Sequence, residues 1–237
     1  MNSKQAQAII HKTRDDYNRI ARHFSATRVR VWPEFEYLKT FLGDDQTILD
    51  WGCGSGRFIL GLQDKKNIKY FGIDQSDELI KIARETYATE VKAGWAKFYS
   101  TTLQAQKFPD NFFDLEFLIS SFFHLPDENT RLSTLQELYR VIKPDGKIVI
   151  LVWNLGSDWA KEKLKKDWKK IGENDFIVPW KNQQGEVISE RYYHHFTSEE
   201  LSGLLIKAGF KNVKIKYSDA TWSDDKGGRN MFAVAVK

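Results

Sequence analysis

A chain of 237 residues with 41% hydrophobic content is long enough for one well-buried core and lies at the upper edge of single-domain size. No run approaches the roughly 20 apolar residues of a membrane span, and the N-terminus lacks a signal peptide's apolar stretch, so a soluble, cytoplasmic protein without a membrane partner is expected. The single cysteine, Cys53, excludes an internal disulfide and leaves no cysteine pair for zinc, while a net charge of +4 favours an anionic partner without marking a protein that coats nucleic acid.

In chain order, Tyr17, Ile20, Ala21 and Phe24 recur at i, i+3, i+4 and i+7, one face of an amphipathic helix. Pro33 forbids its simple continuation, so Thr27, Arg28, Trp32 and Pro33 form a short segment that reads as a lid. Residues 1–42 are thus expected to be helix and lid within one domain spanning 1–237. QTILDWG reads as a strand ending in glycines, followed by RFILGLQ as helix. KYFGIDQ is a strand and SDELIKIARETYA a helix. FFDLEFLIS is the next strand, TRLSTLQELYRVI a helix closed by Lys143, Pro144, Asp145 and Gly146, and KIVILVWN the strongest strand in the sequence. Alternation at this pace predicts an α/β fold, Rossmann-like, with a mostly parallel sheet and helices on both faces.

The tail departs from this pattern. Residues 155–197 are aromatic, charged and irregular, and read as an insertion on the substrate side. SEELSGLLIKAGF is a helix stopped by Gly209; KNVKIKYSD and NMFAVAVK are strands joined by TWSDDKGGR, too short for a crossover helix, and should pair antiparallel. Lys161, Lys163, Lys165, Lys166, Lys169 and Lys170 crowd into KEKLKKDWKK, either as a solvated helix face or as a phosphate-contacting patch.

The chemistry centres on DWGCGSG, residues 50–56, between a strand and a helix. Gly52, Gly54 and Gly56 are expected to let the backbone approach a ligand that any Cβ would obstruct. Asp74, eighteen residues past Gly56 at the end of the next strand, is placed to accept the ribose hydroxyls of an adenosine. Asp50 ahead of the glycines would repel a dinucleotide's pyrophosphate and suits the amino-acid end of another ligand. The pattern D-x-G-C-G-x-G accordingly resembles motif I of the S-adenosylmethionine (SAM) methyltransferases, whose class I members share the parallel sheet closed by an antiparallel hairpin, seven strands in all. Where such enzymes carry an acid for the adenine amino group, this chain has Thr102 in TTLQAQKFPD.

Outside the loop, Y-x-x-I-A-x-x-F-x-x-T-R-x-x-x-W-P at Tyr17 to Pro33, IVPW at Ile177 to Trp180, RYYHHF at Arg191 to Phe196 and the closing RNMFAVAVK together resemble the tRNA wobble-uridine methyltransferases, found also fused to AlkB-like hydroxylases. That resemblance implies methylation of the carboxylate of 5-carboxymethyluridine in the tRNA anticodon region, with SAM as cofactor and, in eukaryotic members, a small zinc-containing activator subunit. It places Tyr17, Arg28, Asp50, Gly52, Gly54, Gly56, Asp74, Gln75, Thr102 and Ser120 at the cofactor. Arg28 and His124 would be catalytic, Arg28 gripping either the acceptor's carboxylate or that of SAM itself and His124 holding the acceptor, with Phe123 in place of a first histidine. Trp32, Tyr192, Tyr193, His194, Lys165 and Lys166 would face the substrate, although core packing is the ordinary role of Trp32, Trp153 and Trp180. His194 and His195 point to opposite faces of a strand, so no metal site is expected of them. The alternatives are a methyltransferase acting on the oxygen, nitrogen or carbon of a metabolite, and a module that binds SAM without turnover.

Overall fold

The structure, a computed structural model, describes residues 2–28, 30, 32–218 and 228–237; most of the loop expected between the last two strands, 221–227, lies outside them. Helix α1 (Ser3–Ala26) begins where Asn2 and Gln5 exchange side-chain and backbone bonds, satisfying amides that a helix start leaves open. Ile20 and Ala21 are buried, while Tyr17 and Phe24 on the same face line a cavity. Past Thr27 the helix stops, and Pro33 opens the separate α2 (Glu34–Lys39).

The sheet begins with β1 (Thr47–Trp51), and a 3-10 turn at Arg57–Gly61 replaces the α-helix that RFILGLQ predicts. Gly61 interrupts the apolar run, and glycine is poorer than alanine in a helix interior by about 1 kcal/mol. Then come β2 (Lys69–Asp74), α3 (Asp77–Thr86), α4 (Ala88–Lys92), β3 (Ala96–Ser100), α5 (Leu103–Gln106), β4 (Phe113–Ile119), α6 (Glu128–Val141) and β5 (Ile142–Trp153). β3 is a strand the sequence reading did not set out. Its five residues form an edge, with Lys97 outward, too short a run to show a period. The helix ends at Val141 rather than at the KPDG turn, which belongs to β5 and shifts its register against β4.

Residues 155–197 are not irregular. They form α7 (Asp158–Leu164) and an antiparallel sheet of β6 (Lys169–Lys170), β7 (Asp175–Lys181) and β8 (Val187–His194). Pro179 argues against a strand in the sequence, and the ladder tolerates it because β6 pairs only with Phe176 and Ile177. α8 (Ser198–Ala208), capped by Gly209 at φ 110°, leads into β9 (Lys211–Ser218) and β10 (Asn230–Val236).

The seven strands run β3-β2-β1-β4-β5-β10-β9, parallel except that β10 is antiparallel to both neighbours. From Ile148 to Val152 β5 is buried on both faces, which explains its unbroken apolar run. Helix α1 lies between α3 and β8 and is tied to each. Asn18 Oδ1 accepts from Ser76 Oγ at 2.7 Å, and Lys12 donates to the Glu190 carbonyl at 2.6 Å and to the buried Asp16 at 2.5 Å. Among the described residues no helix is long and apolar enough to cross a membrane.

Candidate active site

Strand order reverses between β1 and β4, and the turns leaving their carboxyl ends diverge around a crevice. A cavity of about 520 Å³ lies there under α1, within the size range of small-molecule sites. Ser120, where the chain leaves β4, has a φ of 55°, a left-handed backbone uncommon outside glycine, and its hydroxyl is buried without a partner. It lines the cavity with Gly52, Cys53 and Gly54.

One wall is acid and backbone. Gly54 N donates to Asp74 Oδ2 at 2.9 Å and Ser76 N to Asp74 Oδ1 at 2.9 Å, so the acid at the end of β2 braces the glycine loop while keeping lone pairs for a ligand. Burial raises its pKa against these bonds. Asp50 is 2% exposed; Tyr70 Oη donates to its Oδ2 at 2.7 Å, and its Oδ1 has no partner. Burial lifts Asp50 to about 7, a strong demand for the positive group that a ligand's ammonium would supply. Gln75 and Thr102 also line this wall; the Thr102 hydroxyl caps α5 by accepting from Ala105 N, which leaves its proton free to donate.

The facing wall is cationic and aromatic. Arg57, directly after the glycine loop, stacks 3.6 Å over the Trp32 ring. Burial, then the nearby charge of Arg28, draws its pKa down to about 9. Arg28 lies 4.7 Å over Phe24 and 5.5 Å over Trp180, and burial lowers its pKa too. Arg191, on β8, is 3% exposed and also sits over the Trp180 ring, at 4.9 Å. Among the described residues, no carboxylate is in ion-pair contact with Arg28, Arg57 or Arg191. Between these walls stand Tyr17 and His124, 2.9 Å apart at Oη and Nε2, with His124 Nδ1 2.7 Å from the Tyr192 carbonyl.

The cavity therefore gathers Tyr17, Arg28, Trp32, Asp50, Gly52, Gly54, Asp74, Gln75, Thr102, Ser120, His124 and Tyr193 of the expected residues. Others stand elsewhere. Gly56 is a glycine because a Cβ would lie 2.8 Å from the Phe98 ring, and at Gly52 it would lie 2.3 Å from Ser121 Cβ. The crowding at both is with protein, and only Gly54 both lines the cavity and leaves ordinary space for a Cβ. Tyr192 and His194 do not line the cavity. Tyr192 Oη donates to Asp175 at 2.5 Å, and His194 lies 2.9 Å from both Asp175 and Glu200. Lys165 and Lys166 are exposed beyond the end of α7, outside the cavity, with Lys165 paired to Glu162. Trp153 lines the cavity as well as packing with Trp168 and Tyr193, and Trp180 donates to His23 at 2.8 Å. Arg57 and Arg191 were missed, although one follows the glycine loop and the other opens RYYHHF.

These residues fit SAM: Asp50 Oδ1 for the ammonium, Arg28 and Arg57 for the carboxylate, Asp74 for the ribose. Residues 49–150 match the family described as "Methyltransferase domain". The chain is 28% identical to the tRNA (carboxymethyluridine(34)-5-O)-methyltransferase of Schizosaccharomyces pombe, over 87% of this chain and 91% of the relative. It is 33% identical to the enzyme of the same name, alkbh8, from Xenopus tropicalis, over 88% of this chain but only 38% of that longer protein. A chain of Encephalitozoon cuniculi named as a methyltransferase is 31% identical over 82% of this chain and 85% of its own length. Among solved structures, a SAM-dependent methyltransferase of Methanosarcina mazei superposes with a TM-score of 0.65 at 26% identity, covering 87% of this chain and 98% of its own. The Haloferax volcanii methyltransferase solved in complex with the Trm112 activator reaches 0.68 at 17% identity, covering 94% and 96%. Likeness of this extent reaches well past the cofactor loop, and the chain belongs to the class I SAM-dependent methyltransferases.

Proposed function

We propose that this enzyme methylates the carboxylate of a 5-carboxymethyl wobble uridine in tRNA. The observation that carries the reading is the row Arg57, Arg28, Arg191 along one wall: among the described residues no carboxylate is in ion-pair contact with any of the three, and Asp50, Glu34 and Asp16 act on Arg57 and Arg191 only from beyond ion-pair contact. Buried charge persists where it is paired, and a reaction between SAM and a carboxylic acid brings two carboxylates into the same cavity. The relatives that match over most of this chain carry that reaction in their names.

Bound SAM supplies an electrophilic methyl group on a sulfonium. An acceptor carboxylate with a pKa near ~4 is already ionised at neutral pH, so no residue need act as a strong base. One acceptor oxygen forms the new bond to the methyl carbon as the C–S electron pair returns to sulfur, and no proton moves. The chain's contribution is orientation and exclusion of water: α1 roofs the cavity, and a guanidinium fork fixes the carboxylate plane. Phe24, Trp32, Phe123 and Trp153 line the space as apolar surface for a base drawn out of a single-stranded loop.

A small activator subunit is part of the proposal. A structural neighbour is solved with Trm112, and β3 forms an edge of the sheet. Radiolabelled SAM, with and without such a subunit, should label tRNA bearing 5-carboxymethyluridine and not tRNA lacking it, and mild alkali should release the label, as it does for a methyl ester. Label in a metabolite extract instead would move the acceptor to small molecules.

A further inference from the structure

The hydrogen bonds around His124 have a direction. The Tyr192 carbonyl can only accept, so His124 Nδ1 carries the proton. Burial holds this imidazole at about 3, hence neutral, and Nε2 presents a lone pair. Tyr17 must then donate its hydroxyl proton to Nε2, which leaves the Tyr17 oxygen to accept from Arg191 Nη1, 3.3 Å away. Neither nitrogen of His124 is left for an acceptor, contrary to the expectation that it holds one. The chain of bonds ends instead on a guanidinium.

Arg191 lines the cavity, is almost wholly buried, and its Nε–H has no partner. Its surroundings are rings: Trp180 at 4.9 Å, Tyr193 at 5.3 Å and Tyr17 at 5.7 Å. Rings hold the plane of a guanidinium without using its donors. Arg57 directly follows the glycine loop, whereas Arg191 comes from the second sheet, and Arg28 lies between them, its charge acting on Arg57 and its guanidinium sharing the Trp180 ring with Arg191. We propose that Arg191 grips the acceptor's carboxylate, that Tyr17 and His124 are positioning residues fixing its fork, and that Arg28 and Arg57 serve the carboxylate of the cofactor. This rests on the reading that the acceptor is a carboxylic acid. The grip also has a consequence after transfer: the product is a neutral ester, so Arg191 loses its anion and the product is released.

Two experiments on the full chain separate this proposal from the reading beneath it. In methyl transfer to tRNA bearing 5-carboxymethyluridine, Arg191→Gln should raise the acceptor KM roughly 30-fold or more, as for truncating one side of a buried charge pair, with affinity for S-adenosylhomocysteine within twofold. Arg191→Lys, which keeps the charge and loses the fork, guards against a variant that fails to fold; it should also raise the acceptor KM with an unchanged melting curve. Tyr17→Phe and His124→Leu should raise the same KM by less, and His124→Gln, able to donate and accept as the neutral imidazole does, should recover most of it. A rise in cofactor Kd without a rise in acceptor KM would overturn the assignment. Independently of any RNA, acetate titrated into the S-adenosylhomocysteine complex should change tryptophan fluorescence through Trp180, saturably in the wild type and not in Arg191→Gln. Saturation surviving that substitution sinks the proposal; an acetate site that needs Arg191 in a protein that leaves the tRNA unlabelled keeps the site and rejects the tRNA reading.

Discussion

On the glycine-loop wall, the ligand-facing groups from Asp50 to Gln75 come from two adjacent strands and the turns that leave them, held by backbone bonds to Asp74. The wall opposite and the pair that stands before it draw Arg28, Arg191, Tyr17 and His124 from four separate places, two of them on the N-terminal helix and its lid and one on the second sheet. Burial makes charge costly for Asp50 and Asp74 on the first wall, which awaits a cation, and for Arg28 and Arg57 on the second, which awaits anions. On the proposed function, a cofactor shared by many enzymes is held mainly by contiguous sequence on the common sheet, and the acceptor by elements packed outside it. Substitutions on the two walls should separate in kinetics as the walls separate in sequence.

The largest effect expected is at Arg28, which lies on the arginine wall but is assigned to the cofactor. Arg28→Lys keeps a charge and loses the planar fork, and should weaken SAM binding by roughly 10²-fold, the upper end for a hydrogen bond to a charged group. A loss confined to the acceptor KM would reassign Arg28 to the acceptor. Asp74→Ala should cost roughly 1.5–3 kcal/mol of SAM affinity by calorimetry, with the acceptor KM little changed. It also removes the brace on Gly54 N, so a variant that binds SAM as the wild type does would dissociate this acid from the cofactor altogether.

Legibility in the sequence follows the same division. Asp50, the glycines and Asp74 lie within one strand–turn–strand unit, where spacing along the chain is spacing in space. The hairpin of β9 and β10 and the Gly209 stop were equally local. Arg191 was not found, because its meaning comes from Tyr17, which is far from it in sequence and is brought to it only when α1 packs on β8. His124 is reached by resemblance, but the positioning role proposed for it is not legible in the sequence, since the carbonyl that fixes its proton belongs to Tyr192. His194 and Tyr192 read as site residues by their neighbours in RYYHHF, yet alternation along β8 and pairing with Asp175 turn them to a separate cluster. The sheet β6–β7–β8 escaped because Pro179 and a two-residue partner strand give no periodic signal.

A smaller effect separates the glycines. Gly56→Ala puts a methyl 2.8 Å from Phe98 at a φ of 80°, and should destabilise the fold by about 1–3 kcal/mol in denaturant melts whether or not cofactor is present. Gly54→Ala, at a φ of 56°, carries the same backbone strain but meets only Phe24 at 3.7 Å, so it should destabilise the fold less than Gly56→Ala and lower SAM affinity in addition. Equal destabilisation by both would remove the distinction drawn between them.

The acid wall also carries a pH signature. Asp50, raised to about 7 by burial, binds more protons folded than unfolded between its ordinary 3.8 and that value. Stability of the ligand-free protein should therefore fall as pH rises across that window, and Asp50→Asn should reduce that fall to the part contributed by Asp74 and Glu116, which burial also raises. Cofactor binding runs the other way, because the ionised form meets the ammonium: S-adenosylhomocysteine affinity should rise with pH towards about 7, by at most about tenfold per unit, and flatten in Asp50→Asn. His124, already neutral down to about 3, should add no limb to either profile near neutrality.

The smallest effect concerns neither wall, and for that reason it tests how far the acceptor surface extends. The lysine run is not one helical face: α7 ends at Leu164, and Lys169 and Lys170 belong to β6. Lys161, Lys165 and Lys169 spend their charges on Asp158, Glu162 and Glu190 in exposed pairs, which weakens the case for phosphate contact without removing it, since such pairs exchange readily for a stronger anion. Replacing Lys165, Lys166, Lys169 and Lys170 with Gln should leave the melting curve and SAM affinity unmoved. If the patch meets the tRNA backbone, the log–log salt slope of tRNA binding should flatten by about one unit per lost contact. A slope that does not change makes these lysines a solvated surface and ends the acceptor site at the cavity mouth.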